Sequence, residues 1–454
     1  MNQFYMTTLS VSVLLISIIW YIKSLRKTPP LPPGPRGLPI LGYLPFLGKH
    51  LLHQFTDLGH KYGPIYKLYL GNKLWVVISS PSLVKEVVRD QDAVFANRDS
   101  PVAALVGTYG GNDIAWSPYN SQWRAMRKIF VQEMMNNRSL KESYSLRKDE
   151  VRKTITHVHT KVGKPVDIGE LSFRTELNVI RNMLWGGIIE GEEGKRIGAE
   201  FRVLISKIVD LFGKPNISDF YPVLAGLDIQ GVKKNRWKII CNPWTDTVSG
   251  GTDTTATTVE WAMAELMKNP DSMAKAHKEL FDVVGSDNMI EESHMPDLKY
   301  LEAVIKETLR LHPAVPLLIP RSPAKSSTIG GYTIPKNSTV LINVWSIQRD
   351  PSIWDNPDEF KPERFLDDNG NLDFKGNHFH YLPFGSGRRV CAGMPLAERM
   401  LIYLVASLVH SFEWKLPTEG ETLDMSERFG IVLKKSTPLF AVPTIRLHDS
   451  NLYM

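Results

Sequence analysis

The segment that most restricts what this chain can fold into is a glycine-rich loop around one cysteine, "FGSGRRVCAG" at residues 384–393. Arg388 and Arg389 precede Cys391, and Pro395 then opens a long apolar helical pattern. Nearby arginines and the N-terminal end of a helix both favour a negatively charged group. We therefore predict that this loop lowers the pKa of the Cys391 thiol and favours its thiolate form.

The glycines of the same loop indicate what kind of partner lies next to the sulfur. Gly385, Gly387 and Gly393 remove side chains where a flat, bulky partner has to approach the backbone. A thiolate that faces a plane, with arginines to neutralise carboxylates at its edge, suits a haem whose iron takes one axial sulfur. A glycine-rich turn before a core helix fits the same residues equally well, so the loop alone leaves both interpretations open.

Cysteine usage and charge narrow the class of protein. Cys241 and Cys391 are the only cysteines among 454 residues, so a disulfide framework is not expected. The formal net charge is +6, spread along the chain without a basic cluster. That pattern predicts no nucleic-acid binding, and a weakly basic surface suits anionic lipid headgroups or an acidic protein partner.

The N-terminus predicts a membrane anchor. Residues 4–22 carry no charge, and nineteen helical residues span about 28 Å, close to a bilayer core. Basic residues follow at 23, 26 and 27 and none precedes, which places the N-terminus outside and the rest of the chain in the cytosol. A cleaved signal peptide would need a basic region before the apolar run. We predict an uncleaved anchor at 1–28, a proline-rich hinge at 29–42 and a globular domain at 43–454.

Hydrophobic periodicity predicts a mainly α fold with a minor β region towards both ends of the chain. Strand-like runs are "IYKLYLG", "KLWVVISS" and "TIGGYTIPKNSTVLINVWSI". The longer helical patterns are "TTATTVEWAMAELMKNP", "LKYLEAVIKETLRLHP" and "PLAERMLIYLVASLVHSF". The tail "RFGIVLKKSTPLFAVPTIRL" is typical of a hairpin.

The cysteine loop resembles a known family. The residues Phe384, Gly387, Arg389, Cys391 and Gly393 match the signature F-x-x-G-x-R-x-C-x-G of haem-thiolate monooxygenases, the cytochrome P-450 superfamily. The resemblance implies the cytochrome P-450 fold with a single N-terminal transmembrane helix. It also implies that Cys391 is the proximal iron ligand, that Arg389 pairs with a haem propionate and that Phe384 packs beside the sulfur.

A second motif is "KETLR", in which Glu307 and Arg310 share a helix face. A pair at this spacing is most often a surface ion pair of little energetic consequence. It also resembles the E-x-x-R pair of the family, with Arg364 of "PERF" as its third member. The resemblance implies a buried structural lock that holds the cysteine loop.

A third motif is "SGGTDTTATTVEW" at 249–261, whose glycines and threonines make a poor helix. An ordinary helix start capped by a hydroxyl explains the segment too. It resembles the oxygen-binding segment of the family, G-G-x-D-T-T. The resemblance implies that Thr254 hydrogen-bonds dioxygen and that Asp253 relays protons to it.

Weaker likenesses extend the site. Trp123 and Arg127 in "WRAMR" resemble the family's W-x-x-x-R contact to a haem propionate, and Arg321 resembles a further one. The resemblance also places substrate against three apolar stretches, residues 102–116, 314–318 and 429–432, which implies a lipophilic substrate.

The chain departs from the family in its middle. It is shorter than relatives between about residues 228 and 249, and Pro243 lies seven residues before Gly250. Because proline inside a helix costs about 3 kcal/mol, we expect the oxygen-binding helix to begin late and the distal pocket to lack part of its roof. An incorrectly joined reading frame and a natural truncation both fit.

Taken together, the motifs predict a monooxygenase anchored in the endoplasmic reticulum. It would insert one atom of O2 into a small lipophilic metabolite, with electrons from NADPH through a membrane-bound cytochrome P-450 reductase. The loop and the threonine-rich segment resemble the plant branch of specialised metabolism, with terpenoids favoured over flavonoids and other phenolics. The alternatives are a haem-thiolate isomerase or dehydratase, and a truncated, non-catalytic haem-binding membrane protein.

Overall fold

A computed structural model of the chain describes residues 29–108, 110–186, 216–234, 245–366, 372–418 and 422–454, with the single positions 203, 207, 211, 212 and 420. The predicted anchor at 1–28 lies outside the described residues. Within these ranges no helix combines the length and the apolarity that crossing a membrane requires.

Fourteen α-helices and twelve strands are described. The helices are α1 Leu51–Tyr62, α2 Pro81–Lys85, α3 Asp92–Phe95, α4 Val102–Gly107, α5 Ser121–Ile129, α6 Asn137–Glu142, α7 Tyr144–His159, α8 Ile168–Trp185, α9 Ile217–Phe220, α10 Thr245–Lys268, α11 Pro270–Val284, α12 Lys299–Leu311, α13 Val344–Ile347 and α14 Met394–Ser411. The strands are β1 Ile65–Leu70, β2 Lys73–Ile78, β3 Asn97–Arg98, β4 Val166–Asp167, β5 Arg321–Ser322, β6 Ser327–Ile329, β7 Tyr332–Ile334, β8 Thr339–Ile342, β9 Phe412–Lys415, β10 Glu427–Arg428, β11 Lys434–Lys435 and β12 Phe440–Ile445.

The helical part of the fold is built around α10. Helices α8, α12 and α14 pack against it, and the apolar residues between them form the largest core of the described residues. Gly251 allows α8 to approach closely, because a Cβ at this position would lie 2.5 Å from the Cδ1 atom of Ile180. The described part of α10 begins at Thr245, and the residues just before it, Pro243 among them, lie outside the described ranges, so the late start stays a prediction.

The main sheet has five strands in the order β1-β2-β8-β5-β3. Strands β1 and β2 form an antiparallel hairpin, and β2 pairs with β8 in parallel. At the other edge β3 pairs with β5, so that Arg98 lies directly opposite Arg321. This register places two arginines side by side, although 223 positions separate them in the chain.

The C-terminal tail is only partly the hairpin that its pattern predicts. Strands β10 and β11 pair with each other, but β12 pairs with β9 and β4 instead. Ser436 and Pro438 interrupt the strand pattern after Lys435, and Leu439 then accepts a hydrogen bond from the Ile168 N–H group at 2.9 Å. The tail therefore leaves the hairpin and joins a second, three-stranded sheet.

The Glu307–Arg310 pair is buried, so its reading as a surface ion pair is wrong. Arg310 donates from Nε and Nη2 to the Glu307 carboxylate at 2.7 and 2.9 Å, and Arg364 Nε donates to the same carboxylate at 2.9 Å. Glu307 and Arg310 have no exposed surface. Because each charge has partners, the group is satisfied in spite of its desolvation.

The same group is tied to the chain that leads into the cysteine loop. Arg310 Nη1 donates to the Gln348 carbonyl at 2.8 Å, and the Gln348 side chain accepts from the Leu382 N–H group at 2.9 Å. Tyr381 donates its hydroxyl to the Lys306 carbonyl of α12 at 3.0 Å. Residues 381–382 are thus fixed to α12 two positions before the loop begins.

We expect Glu307→Gln to lower the free energy of unfolding by about 3–5 kcal/mol, because it leaves two buried guanidinium groups without their counter-charge. Denaturant unfolding measures this loss. Glu142→Gln is the matched control, since Glu142 forms an exposed i,i+4 pair with Arg138 and its removal should leave stability unchanged. Equal effects of the two substitutions would contradict the structural role of Glu307.

Candidate active site

The cysteine loop is shaped by its glycines. Gly385 and Gly387 have φ angles of +71° and +70°, which side chains rarely adopt. A Cβ on Gly387 would also lie 2.2 Å from the Val88 carbonyl oxygen. The Cys391 N–H group donates to the Phe384 carbonyl at 2.9 Å and closes the loop. The sequence from 384 to 391 therefore folds into a tight turn that presents the cysteine.

Gly393 is explained differently. Its φ angle is −88°, and no atom lies within 4 Å of the position that a Cβ would take. An alanine would therefore meet neither strain nor a neighbouring protein atom at this position. The absence of a side chain at Gly393, the first residue before α14, leaves open space next to the cysteine.

The Cys391 side chain is itself exposed, although protein surrounds it closely enough for burial to raise the pKa of its thiol. A side chain that borders an internal space has both properties, an accessible surface and protein packed densely around it. The Gly393 and Met394 N–H groups and the charge of Arg127 act in the opposite direction but do not outweigh burial. The prediction of a lowered thiol pKa is therefore wrong for the protein alone. A bound metal cation is what deprotonates a coordinating thiol.

Four arginines converge near this loop: Arg321 and Arg389 are buried, and Arg98 and Arg127 are half-buried. Burial lowers the pKa of Arg98 well below its usual range, with further lowering by Arg389 and Arg321. Burial, followed by repulsion from Arg321 and Arg127, lowers the pKa of Arg389 to about 10. These mutual effects mean that the four guanidinium groups lie close enough to repel one another.

Their hydrogen-bond partners are largely neutral. Arg98 donates to the Ile319 carbonyl at 2.7 Å, Arg127 to the Val390 carbonyl at 2.6 Å and Arg389 to the Ala96 carbonyl at 2.6 Å. Carbonyl groups satisfy N–H donors but carry no counter-charge.

Carboxylates nearby are fewer than the arginines. Asp92 lies 3.5 Å from Arg321 but is shared with Arg388 at 2.9 Å. Asp113 is the other carboxylate that acts on Arg98 and Arg389. Because an uncompensated buried charge is costly, the cluster fits a ligand that carries two negative charges.

Trp123 joins α5 to this cluster. Its indole N–H donates to the Ile114 carbonyl at 2.9 Å, and the Arg389 guanidinium lies 4.1 Å from the centre of its ring. Arg127 lies 5.6 Å from the same ring. Asn120 caps the helix by accepting from the Trp123 N–H group at 2.8 Å, which fixes where α5 begins.

The structure thus brings together most of the residues that the sequence assigns to cofactor binding: Trp123, Arg127, Arg321, Arg389, Cys391 and Gly393. Phe384 lies in the same loop, with its ring edge-on to Phe374 at 5.5 Å. Sequence reasoning missed Arg98. The only signal in the sequence is that Arg98 follows the short apolar run at 93–96. Its pairing with Arg321 depends on the register of the sheet, which the sequence does not show.

The oxygen-binding segment lies on α10. The Thr254 hydroxyl donates to the Gly250 carbonyl, one turn earlier. Asp253 is buried, and its Oδ1 atom accepts from the Lys434 ammonium group at 2.7 Å. Lys434, on β11, was not predicted, because it is brought to α10 by the fold of the tail and not by any motif.

An accessible thiol at the start of a helix, beside open space and a cluster of buried guanidinium groups, is suited to a planar dianion whose metal takes a sulfur ligand. That combination defines a haem-thiolate protein. A model of the cytochrome P-450 family matches residues 32–242 and 239–442. The chain therefore belongs to the cytochrome P-450 family, and it is an oxidoreductase, a monooxygenase with haem as its cofactor.

The chain is similar to curated plant proteins. A ferruginol synthase of Salvia miltiorrhiza is 36% identical over 477 residues, which cover 93% of this chain and 96% of that protein. A geraniol 8-hydroxylase of Catharanthus roseus is 38% identical over 472 residues, which cover 92% and 95%. Among solved structures, a zebrafish cytochrome P-450 determined with progesterone has a TM-score of 0.73 and 26% identity, covering 87% of this chain and 99% of that one.

We expect Arg98→Gln to weaken haem binding about tenfold, because it removes a positive charge, and with it a charge-assisted hydrogen bond that Arg98 would donate to a carboxylate of the cofactor. The haem-to-protein ratio, measured by absorbance after dilution and repurification, reports this effect. Arg89→Gln is the control, since Arg89 is an exposed arginine. If both variants keep the same haem content, Arg98 does not bind the cofactor.

Proposed function

We propose that this chain inserts one atom of O2 into a small terpenoid, with Cys391 as the axial ligand of the haem iron. The observation that carries the proposal is the accessible Cys391 thiol beside four arginines, of which Arg321 and Arg389 are buried and Arg98 and Arg127 half-buried. Haem, when bound, supplies the iron at which dioxygen is activated. The arginines and Trp123 would bind its carboxylates, Phe384 would pack beside the sulfur, and Gly393 would leave room for the ring.

Two residues of α10 would handle protons. Thr254 would hold a proton at its Oγ1 atom close to the reacting oxygen, and Asp253 would replenish it. Both are neighbours on one helix turn, and Asp253 is buried, which suits a group that must exchange protons without admitting bulk water. These roles rest on the likeness to the family's oxygen-binding segment.

The substrate class rests on the relatives and on the apolar character of the chain. Curated relatives include a geraniol 8-hydroxylase, ferruginol synthases and a sugiol synthase. The stretches 102–116, 314–318 and 429–432 would line the substrate space, and α4 within the first of them is almost entirely apolar. A lipophilic pocket suits a terpenoid, with flavonoids and other phenolics as the second choice.

We further propose that residues 4–22 anchor the protein in the endoplasmic reticulum membrane, with the catalytic domain in the cytosol. The proline-rich hinge is packed on the domain, which suits a rigid spacer. Pro33 accepts from the Lys67 N–H group of β1 at 2.8 Å, and Pro30 accepts from the Thr333 N–H group of β7 at 2.9 Å. Electrons would come from NADPH through a membrane-bound cytochrome P-450 reductase that binds the weakly basic surface.

Two findings support the proposed shortening between about residues 228 and 249. The alignment with the ferruginol synthase extends over 477 residues, more than the 454 of the whole chain, so it leaves gaps in this chain. The family model matches in two segments that meet at residues 239–242. The shortened stretch precedes α10, so part of the roof over the distal pocket would be missing.

Substitution of the axial ligand tests the proposal directly. We expect Cys391→Ser to abolish the long-wavelength Soret band of the reduced, carbon-monoxide-treated protein, because thiolate ligation causes that shift. Ser407→Ala, a substitution of a small buried side chain on α14, should leave the band in place. An unaltered band in Cys391→Ser would refute Cys391 as the ligand.

Thr254→Ala tests the proton-handling role. In microsomes that contain reductase, we expect NADPH consumption to continue while product per NADPH falls about tenfold, because proton delivery is impaired. Geraniol, ferruginol and a flavonoid are the first compounds to assay. Thr258→Ala is the control, since Thr258 donates to the Thr254 carbonyl on the same helix. Product formed without NADPH would instead indicate an isomerase or dehydratase.

The membrane topology has its own test. If the domain is cytosolic, the sequons at Asn137, Asn216 and Asn337 should stay unglycosylated in eukaryotic cells, whereas a sequon-bearing tag placed before Met1 should be modified. Endoglycosidase-dependent mobility shifts measure both. Asn216 is buried and its side chain caps α9 through the Ser218 N–H group at 2.9 Å, so a glycan there would also remove a helix cap. A glycan on any of the three would reverse the topology.

A further inference from the structure

A polar cavity of about 150 Å³ lies between α8, α10 and the β10–β11 hairpin. Its lining is dominated by charged and hydroxyl side chains, among them Glu170, Asp253, Thr257, Glu260, Arg428 and Lys434. A polar space of this size is large enough for several waters, since each needs about 10–15 Å³ of such volume.

The cavity connects the surface with the interior. Glu170, Arg428 and Pro438 at one part of its lining are exposed, whereas Asp253 and Glu260 are buried at 4% and 8% exposure. Its position is fixed by the hairpin, because the Trp261 indole N–H of α10 donates to the Leu433 carbonyl at 3.1 Å. The cavity is therefore a polar passage from solvent towards the acidic residue of the oxygen-binding segment.

At the inner end of the cavity, only one of the two carboxylate oxygens of Asp253 has a hydrogen-bond partner among the described residues. Its Oδ1 atom accepts from Lys434 at 2.7 Å, while its Oδ2 atom is buried and has no hydrogen-bond partner among the described residues. A buried carboxylate oxygen without a partner is costly. A proton or a water that reaches Asp253 through the cavity would relieve that cost.

Glu260 lies on the same face of α10, seven residues after Asp253, with Thr257 between them. Seven residues rise about 10.5 Å along a helix, a span that waters and one hydroxyl can bridge. The Glu260 Oε1 atom accepts from the Leu439 N–H group at 2.8 Å. Burial raises the pKa of Glu260, so it retains a proton at higher pH than an exposed glutamate does.

We propose that this cavity is the route by which protons reach Asp253 from solvent, with Glu260 as the outer relay group and Lys434 as the residue that positions Asp253. The inference rests on the proposed function, because it assumes that Asp253 serves the oxygen chemistry. In each turnover two protons and two electrons convert O2 into one inserted oxygen atom and one water. A proton moves from Glu260 through the waters to Asp253, and solvent returns a proton to Glu260.

Solvent access to Glu260 can be measured without turnover. In infrared spectra at a pH low enough to protonate Glu260, its carboxyl band, identified by its loss in Glu260→Gln, should shift as soon as the protein is diluted into D2O. Glu176 is the matched reference: it is fully buried, its pKa is raised to about 8 by burial, and it does not line the cavity. Its band, identified by Glu176→Gln, should shift more slowly. Equally slow exchange of both groups would mean that the cavity is sealed, and would overturn the route.

The functional consequence is measured as product formed per NADPH. We expect about a tenfold fall in Glu260→Gln and in Lys434→Met, with hydrogen peroxide in place of product, while the reduced carbon-monoxide spectrum stays unchanged. Lys434→Arg should restore coupling, because it keeps a cation beside Asp253. Glu176→Gln should form as much product per NADPH as the unmodified protein does.

The outcomes separate this inference from the proposed function. If Asp253→Asn uncouples the reaction but Glu260→Gln and Lys434→Met do not, the proposed function stands and the route is wrong. If the unmodified protein forms no product with NADPH and reductase, the proposed function itself fails. Lys434→Arg that behaves like Lys434→Met would remove Lys434 from the proposal.

Discussion

Excess positive charge buried around Cys391 is the constraint on which the rest of the structure depends. The arginines Arg98, Arg321 and Arg389 repel one another, and backbone carbonyls give them hydrogen bonds but no counter-charge. Because an uncompensated buried charge is costly, the cluster fits a ligand that adds negative charge to that of Asp92 and Asp113. A haem with two carboxylates would do so, and its binding to the folded state alone would then stabilise the fold by mass action. The cofactor would in this sense be part of the electrostatic balance of the core.

The hydrogen-bond network of Glu307 fixes the position of the cysteine loop relative to the helical core. It fixes the chain at residues 381–382 to α12, and the tight turn at Gly385 and Gly387 then determines where the thiol lies. A buried charge network is a poor source of net stability, but it has few alternative arrangements that leave every group satisfied. The position of the sulfur is therefore specified by directional bonds, which a purely apolar core would not provide.

Residues that share one helix or one loop could be placed from the sequence, because their spacing fixes their geometry. Trp123 with Arg127, Glu307 with Arg310, and the loop from 384 to 393 are of this kind. The positions of Arg98 and Lys434 could not be predicted in this way. The position of Arg98 depends on the register of two-residue strands, and that of Lys434 depends on where the tail leaves its hairpin. The prediction of a lowered pKa for the Cys391 thiol was wrong for a related reason. Local dipoles and charges can be inferred from the sequence, whereas desolvation depends on everything that packs around the sulfur.

The proposed shortening would affect the two sides of the site unequally. Every contact described around Cys391 comes from residues before 128 or after 318, so none depends on the chain between 228 and 249. On the other side, Asp253 and Thr254 lie on α10, whose described part begins at Thr245. The bonds that orient Asp253 come from Lys434 in the tail, and not from the chain that precedes the helix. The contacts around Cys391 and Asp253 thus come from both ends of the chain and not from residues 228–249, so the proposed shortening would leave them in place and would alter only the cover over the substrate.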